Sequence, residues 1–217
     1  MPGLLRSRGY LLAEIVTLTL LLPLLLGTVI PLGFLLPALW VTCLYCFAVL
    51  RVTGAAPQPL WQAAALNRRH LAPLLVRFVL ITLGLGMTAA LLRPDLLFGF
   101  VRARPVFWAI VMILYPILSA IPQELIFRSF FFARYRSLFG TEAATIAASA
   151  VAFAITHLIF QNWVAPLLTL AGGFMFARTY AATRSLALVS LEHALYGCMI
   201  FTLGLGSYFY HGAVGTH

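Results

Sequence analysis

The sequence predicts an all-α polytopic membrane protein with seven or eight transmembrane helices. Three observations carry this. Hydrophobic residues fill 63% of the 217 positions and charged residues 9%, with a mean hydropathy of +1.02; soluble domains run at about 45–50% and about 25%. The apolar runs approach the roughly 20 residues that cross a bilayer as a helix. They also lack the alternating segments of roughly ten residues that build a transmembrane barrel.

Taken in order, the runs predict spans over 10–29, 31–50, 71–93, 105–121, 141–160, 163–182 and 185–206. The first follows Arg6 and Arg8 as a signal peptide would, but it outruns a normal h-region and shows no small-x-small cleavage pattern. It reads as an uncleaved first span. The most polar connection, RVTGAAPQPLWQAAALNRRH at 51–70, predicts a short interfacial amphipathic helix over Leu60–Leu66, with Trp61 at headgroup depth. Residues 122–138 continue the fourth run through Pro116 and Pro122. They form either its bent cytoplasmic extension or a separate, partly embedded helix. The chain divides into N-terminal spans with their polar loop, 1–104, and a C-terminal membrane region, 105–217.

All 14 basic residues are arginines, and the net charge is +9. They gather at the ends of apolar runs, which speaks for membrane orientation and against nucleic-acid binding. The positive-inside rule puts the N-terminus and the 51–70, 134–140 and 178–184 connections in the cytoplasm and the C-terminus outside. Arg93, Arg102 and Arg104 run against that pattern. Cys43, Cys46 and Cys198 lie in apolar runs, and the lone CxxC has no further ligands nearby for zinc.

A charge at the bilayer centre costs about 2.5–3.5 kcal/mol on insertion scales. Glu124, Arg128, His157, Glu192 and His193 therefore need reasons, in a chain with only five acidic residues and five histidines. Glu14 and Arg77 lie near span ends, where snorkelling suffices. Glu124 and Arg128, in IPQELIFRSFFFARYRSLFG, are at i and i+4 and share a helix face. Phe153 shares a face with His157, and His193 shares one with Gly197, whose missing side chain leaves space beside the imidazole. Glu192 and His193 point about 100° apart, so both cannot face one site squarely. A carboxylate can take a proton from water, and an imidazole can hold that water or donate to an oxyanion. Taken together, these groups suit peptide-bond hydrolysis inside a membrane.

Three stretches, QELIFR at 123–128, FAITH at 153–157 and HALYG at 193–197, resemble the ordered motifs EExxxR, FxxxH and HxxxN (or HxxxD) of the CPBP (CAAX protease and bacteriocin-processing, or Abi) intramembrane endopeptidases. The resemblance covers roughly 105–206 and implies an active site among the C-terminal helices. It implies a membrane-associated protein or peptide as substrate. It also implies catalytic roles for Glu124, His157 (holding water) and His193 (at the oxyanion). Arg128 would orient the carboxylate, with Gln123, Glu192 and Gly197 in support. The expected location is a bacterial inner (cytoplasmic) membrane. Two positions depart from the pattern. Gln123 replaces the first glutamate and has no titratable group, which leaves Glu124 as base and Glu192 in reserve. Gly197 replaces the Asn or Asp, so Asn162, a water or a backbone N–H would have to supply that donor.

No HExxH occurs, and no cofactor is expected, although Glu124, His157 and His193 are also a donor set for a divalent metal. The departures leave a second reading, a catalytically silent membrane scaffold that regulates a partner. A third, a proton-coupled transporter, is disfavoured because the polar groups fall in the C-terminal half alone.

Overall fold

A computed structural model describes Leu5, residues 7–55 and residues 59–209, with backbone only at Leu32. The expectations for Arg6, for the middle of the 51–70 loop and for the chain end beyond 209 lie outside the described residues. Among these there are eight helices and no strand. They are α1 (Arg8–Thr28), α2 (Leu35–Val52), α3 (Arg68–Leu92), α4 (Gly99–Ala103), α5 (Pro105–Phe139), α6 (Glu142–Phe160), α7 (Val164–Thr183) and α8 (Leu186–Thr202). Five of them, α1, α2, α3, α5 and α6, are long and apolar enough to cross a membrane, and α8 is a shorter apolar helix.

Side chains start several of these helices. Ser7, Asn67, Thr141 and Ser185 each accept a hydrogen bond from the backbone N–H three residues on, satisfying donors that a helix N-terminus leaves free. The stretch around Leu60–Leu66 is not the interfacial helix expected of it. Only the turn Ala63–Ala65 is helical, and of the 3-10 kind. The reason lies in α8: its first turn uses the loop's carbonyls, Ala187 N–H donating to Trp61 O (3.1 Å) and Ser185 Oγ to Gln62 O (2.9 Å).

Residues 105–139 form one continuous helix of 35 residues, about 52 Å long at 1.5 Å per residue and well beyond the roughly 30 Å hydrocarbon core. Pro116 and Pro122 lack the N–H of the regular ladder. The chain widens into π turns over Pro116–Ala120 and Leu125–Phe130, single-turn insertions that shift the helical register. On one side α6 and α7 pack at the closest distance small residues allow. A Cβ on Gly173 would stand 3.1 Å from the Ala150 Cα, and Ala150 and Ala177 are fully buried there.

The bundle has two distinct ends. One collects the start of α1, the end of α5 and the starts of α6 and α8, tied by Arg134 to Glu14 and by Arg184 to Glu142 at 2.7 Å. The other collects the ends of α1, α3 and α6, tied by Gln161 Nε2 to Gly27 O at 3.2 Å and by Arg93 to Tyr208 Oη at 3.1 Å. At this second end, outside the spans, two hydrogen bonds from Arg93 (3.1 and 2.9 Å) hold the Asp95 carboxyl below its usual range.

Glu14 and Arg77 do not snorkel. Glu14 is buried and accepts from Arg134 (2.8 and 3.2 Å), Tyr135 (3.0 Å) and Tyr45 (2.7 Å), so α1, α2 and α5 meet on one carboxylate. Arg77 of α3 pairs with the buried Glu192 of α8. Removing one partner of a buried pair costs about 3–5 kcal/mol. Arg134→Ala should therefore cut the yield of folded protein in detergent and lower its melting temperature, with Arg134→Lys in between. An unchanged melting curve for Arg134→Ala would contradict this account of how α1 is anchored.

Candidate active site

Glu124 projects from α5, between its two π turns, into the protein interior, where it has no solvent exposure. One carboxylate oxygen, Oε1, is 2.8 Å from His193 Nδ1 on α8. The other, Oε2, is 3.1 Å from Arg128 Nε, one turn along α5. The second contact is an ion pair without hydrogen-bond alignment, since neither atom has a hydrogen-bond partner among the described residues. Arg128 is also fully buried, and Nη1 donates to Ser149 Oγ at 3.0 Å, which in turn donates to Phe127 O at 2.6 Å. Its guanidinium lies 5.0 Å from the Phe153 ring and 5.8 Å from that of Phe176, the geometry of a cation over an aromatic face.

The same two rings confine His193. Phe176 stacks on the imidazole at 4.8 Å and 20°, and Phe153 meets it edge-on at 5.5 Å. His157 touches the Phe153 ring at 4.6 Å. The two imidazole centroids are thus no farther apart than the sum of those two Phe153 distances. His157 Nδ1 is 2.7 Å from Phe153 O. A carbonyl only accepts, so Nδ1 carries the proton and Nε2 is left as a lone pair. His157 is half-buried at the far end of α6, whereas Glu124 and His193 are buried.

The structure thus brings Glu124, Arg128, His157 and His193 together. Glu192 turns away from them toward Arg77 and α3. Gln123 is half-buried on the neighbouring face; its Nε2 donates to Ser119 Oγ at 2.7 Å, and its Oε1 is buried without a partner. Asn162 does not stand in for the donor missing at Gly197. Its Nδ2 donates to Phe160 O and Tyr208 O, and its Oδ1 accepts from Ala165 N–H at the start of α7. The space beside Gly197 is occupied by Tyr115, whose ring atoms would lie 2.1–2.3 Å from a Cβ placed there. Its hydroxyl is 3.0 Å from His193 Nε2. Sequence reasoning missed Tyr115, and a tyrosine in an apolar run carries no signal that would have found it.

Among the described residues no three His, Cys, Asp or Glu side chains are disposed to hold a metal ion. Both nitrogens of His193 have protein partners, Glu124 and Tyr115, whereas His157 is held through Nδ1 alone.

A buried carboxylate–imidazole pair beside a second histidine, within a bundle of apolar helices, is an arrangement suited to hydrolysis. Residues 105–199 match the family model described as Type II CAAX prenyl endopeptidase Rce1-like. This region belongs to that CPBP family of peptide hydrolases, and membership implies an intramembrane protease. No curated protein and no solved structure matches the chain.

Arg128→Ala would leave Glu124 buried without its cation, at a cost of about 3–5 kcal/mol. Folded yield and activity should fall together. A normally folded, inactive Arg128→Ala protein would instead place the guanidinium on the substrate.

Proposed function

We propose that the chain is an intramembrane endopeptidase that hydrolyses a peptide bond in a membrane-associated protein or peptide, without a cofactor. The observation that carries this is the hydrogen bond between Glu124 and His193. A carboxylate holding Nδ1–H leaves Nε2 as the basic nitrogen and stabilises the imidazolium that forms when it takes a proton, as in carboxylate–histidine pairs generally. The pair is the base for the attacking water. The free Nε2 of His157, the least buried of the three groups, holds that water as a hydrogen-bond acceptor. Arg128 fixes the carboxylate. The Glu124–His193 distance favours this over the oxyanion role that resemblance alone would give His193. Gln123 acts at most by positioning, and Glu192 is part of the scaffold.

The reading also places the molecule in a bacterial cytoplasmic membrane, crossed seven or eight times, with the N-terminus inside. Arg51, Arg68, Arg69, Arg136 and Arg184 belong to the same end as the start of α1, and Arg93, Arg102 and Arg104 to the other. His157 is at the arginine-poor end, so the site opens away from the cytoplasm. In a background lacking Cys43, Cys46 and Cys198, an impermeant maleimide should label Trp163→Cys in intact cells and spare Ser137→Cys. The reverse pattern inverts the orientation.

The enzymatic reading is tested with a farnesylated, internally quenched peptide ending in a CaaX sequence, and with a series of lipid-anchored peptides. Removing a general base costs about 10²–10⁴-fold in rate. Glu124→Gln, His157→Ala and His193→Ala should each lose activity by that order per mole of folded protein; Glu124→Gln should also lower folded yield, because it leaves Arg128 buried without its anion, and Gln123→Ala should be milder. An active Glu124→Gln enzyme rejects the assignment. A wild type that cleaves none of these peptides, with a cellular phenotype still abolished by Glu124→Gln, favours the silent scaffold.

A further inference from the structure

The proposed base has no direct route to water. Glu124 has no exposure and His193 is 5% exposed, with Phe176 over one face of the imidazole and Phe153 at its side. Its one basic nitrogen, Nε2, is covered by the Tyr115 hydroxyl at 3.0 Å. Tyr115 itself is half-buried. Burial by residue decreases along the chain Glu124, His193, Tyr115, and the phenol is the group that stands between the imidazole Nε2 and any approaching substrate. The ring is held by an edge contact with Phe201 at 5.4 Å and by the hollow at Gly197, where a side chain of any size would collide with it.

We propose that Tyr115 is a catalytic residue that relays the proton of the attacking water to His193 and then donates to the oxyanion, in place of the side chain missing at Gly197. This rests on the endopeptidase reading above. In the resting site the Tyr115 O–H donates to His193 Nε2. As the water oxygen bonds to the scissile carbonyl carbon, its proton passes to Tyr115 Oη while the phenolic proton passes to Nε2. The carbonyl π electrons move onto oxygen. The products of this step are an oxyanion, an imidazolium beside the Glu124 carboxylate, and a neutral Tyr115. The imidazolium Nε2–H now donates to Tyr115 Oη, and the phenolic O–H is free to donate to the oxyanion. In collapse, the C–N bond breaks and the same path returns the proton to the leaving nitrogen. Carboxylic acid and amine products account for the water consumed, and Tyr115 never carries a charge. A hydroxyl placed this way supplies its hydrogen bond as negative charge develops on the substrate, where such bonds are most effective.

The test uses the full chain in detergent and the farnesylated CaaX peptide. Tyr115→Phe keeps the ring and its packing and removes one oxygen. It should lower kcat by about 10²-fold or more with little change in KM, and a curved proton inventory in H2O–D2O mixtures should become linear. Gly197→Ala should be as severe, because it expels the ring. Tyr115→Ala with Gly197→Asn empties the hollow and refills it with a short donor, and should recover part of the lost rate relative to Tyr115→Ala. A Tyr115→Phe enzyme with near-wild-type kcat overturns the proposal while leaving the endopeptidase reading in place, provided Glu124→Gln is inactive. If the wild type cleaves nothing, the hydrogen bond is read directly. The 15N shift of His193 Nε2 in selectively labelled protein should move in Tyr115→Phe, and an unmoved shift overturns the proposal.

Discussion

A carboxylate buried among apolar helices must be neutralised by protein groups, and much of the C-terminal half is arranged around doing this for Glu124. Its two oxygens bring Arg128 and His193 to it, and the cost of burying three polar groups is offset only if each finds further partners. Arg128 finds them in Ser149 on α6 and the Phe127 carbonyl. The rings of Phe153 and Phe176, from α6 and α7, close over both the guanidinium and the imidazole. Four helices are thus held in relation to one charge. In the proposed mechanism the interaction that fixes the packing also poises the chemistry, because Nδ1 bound to Glu124 leaves Nε2 as the basic nitrogen.

The π turn early in α5 serves the same requirement. Residues 115 and 124 are nine positions apart, about two and a half turns of a regular helix, so in a straight helix they would point to opposite sides. Yet Tyr115 and Glu124 both touch His193. The π turn at Pro116–Ala120 lies between them and shifts the helical register. Pro116 and Pro122 make that turn inexpensive, since their missing N–H groups have already interrupted the regular ladder. What reads in the sequence as two prolines in a span is, in the structure, the device that brings two side chains onto one imidazole.

The spans were legible because lipid imposes a composition and a length. Glu124, Arg128, His157 and His193 were legible because lipid tolerates such residues only for a reason. The pairing of Glu124 with Arg128 and the contact of Phe153 with His157 were legible too, being set by helical spacing. What sequence could not show is contact between distant segments. Glu14 and Arg77 lie near span ends, and nothing local reveals partners 120 and 115 residues away. The loop around Trp61 has an amphipathic pattern, but its carbonyls go to α8 and its helix does not form. Tyr115 was hidden most completely, since in an apolar run an aromatic ring facing lipid and one facing a histidine look alike.

The two departures from the family motifs, at Gln123 and Gly197, look independent in sequence and each reads as a loss. In the structure they are coupled through α5. The turn of α5 that directs Gln123 to Ser119 brings Glu124, the next residue, onto His193. The π turn that follows Tyr115 lets that ring reach the other nitrogen of the same imidazole, over position 197. An asparagine there would occupy the volume of the ring, because even a Cβ would lie 2.1 Å from it. A helix turned to bring in the second glutamate therefore requires the smallest residue opposite Tyr115. The glycine that removes one donor admits another, and a site that has lost two motif residues keeps a carboxylate, an imidazole and a hydroxyl in one hydrogen-bonded row, with the second imidazole across Phe153.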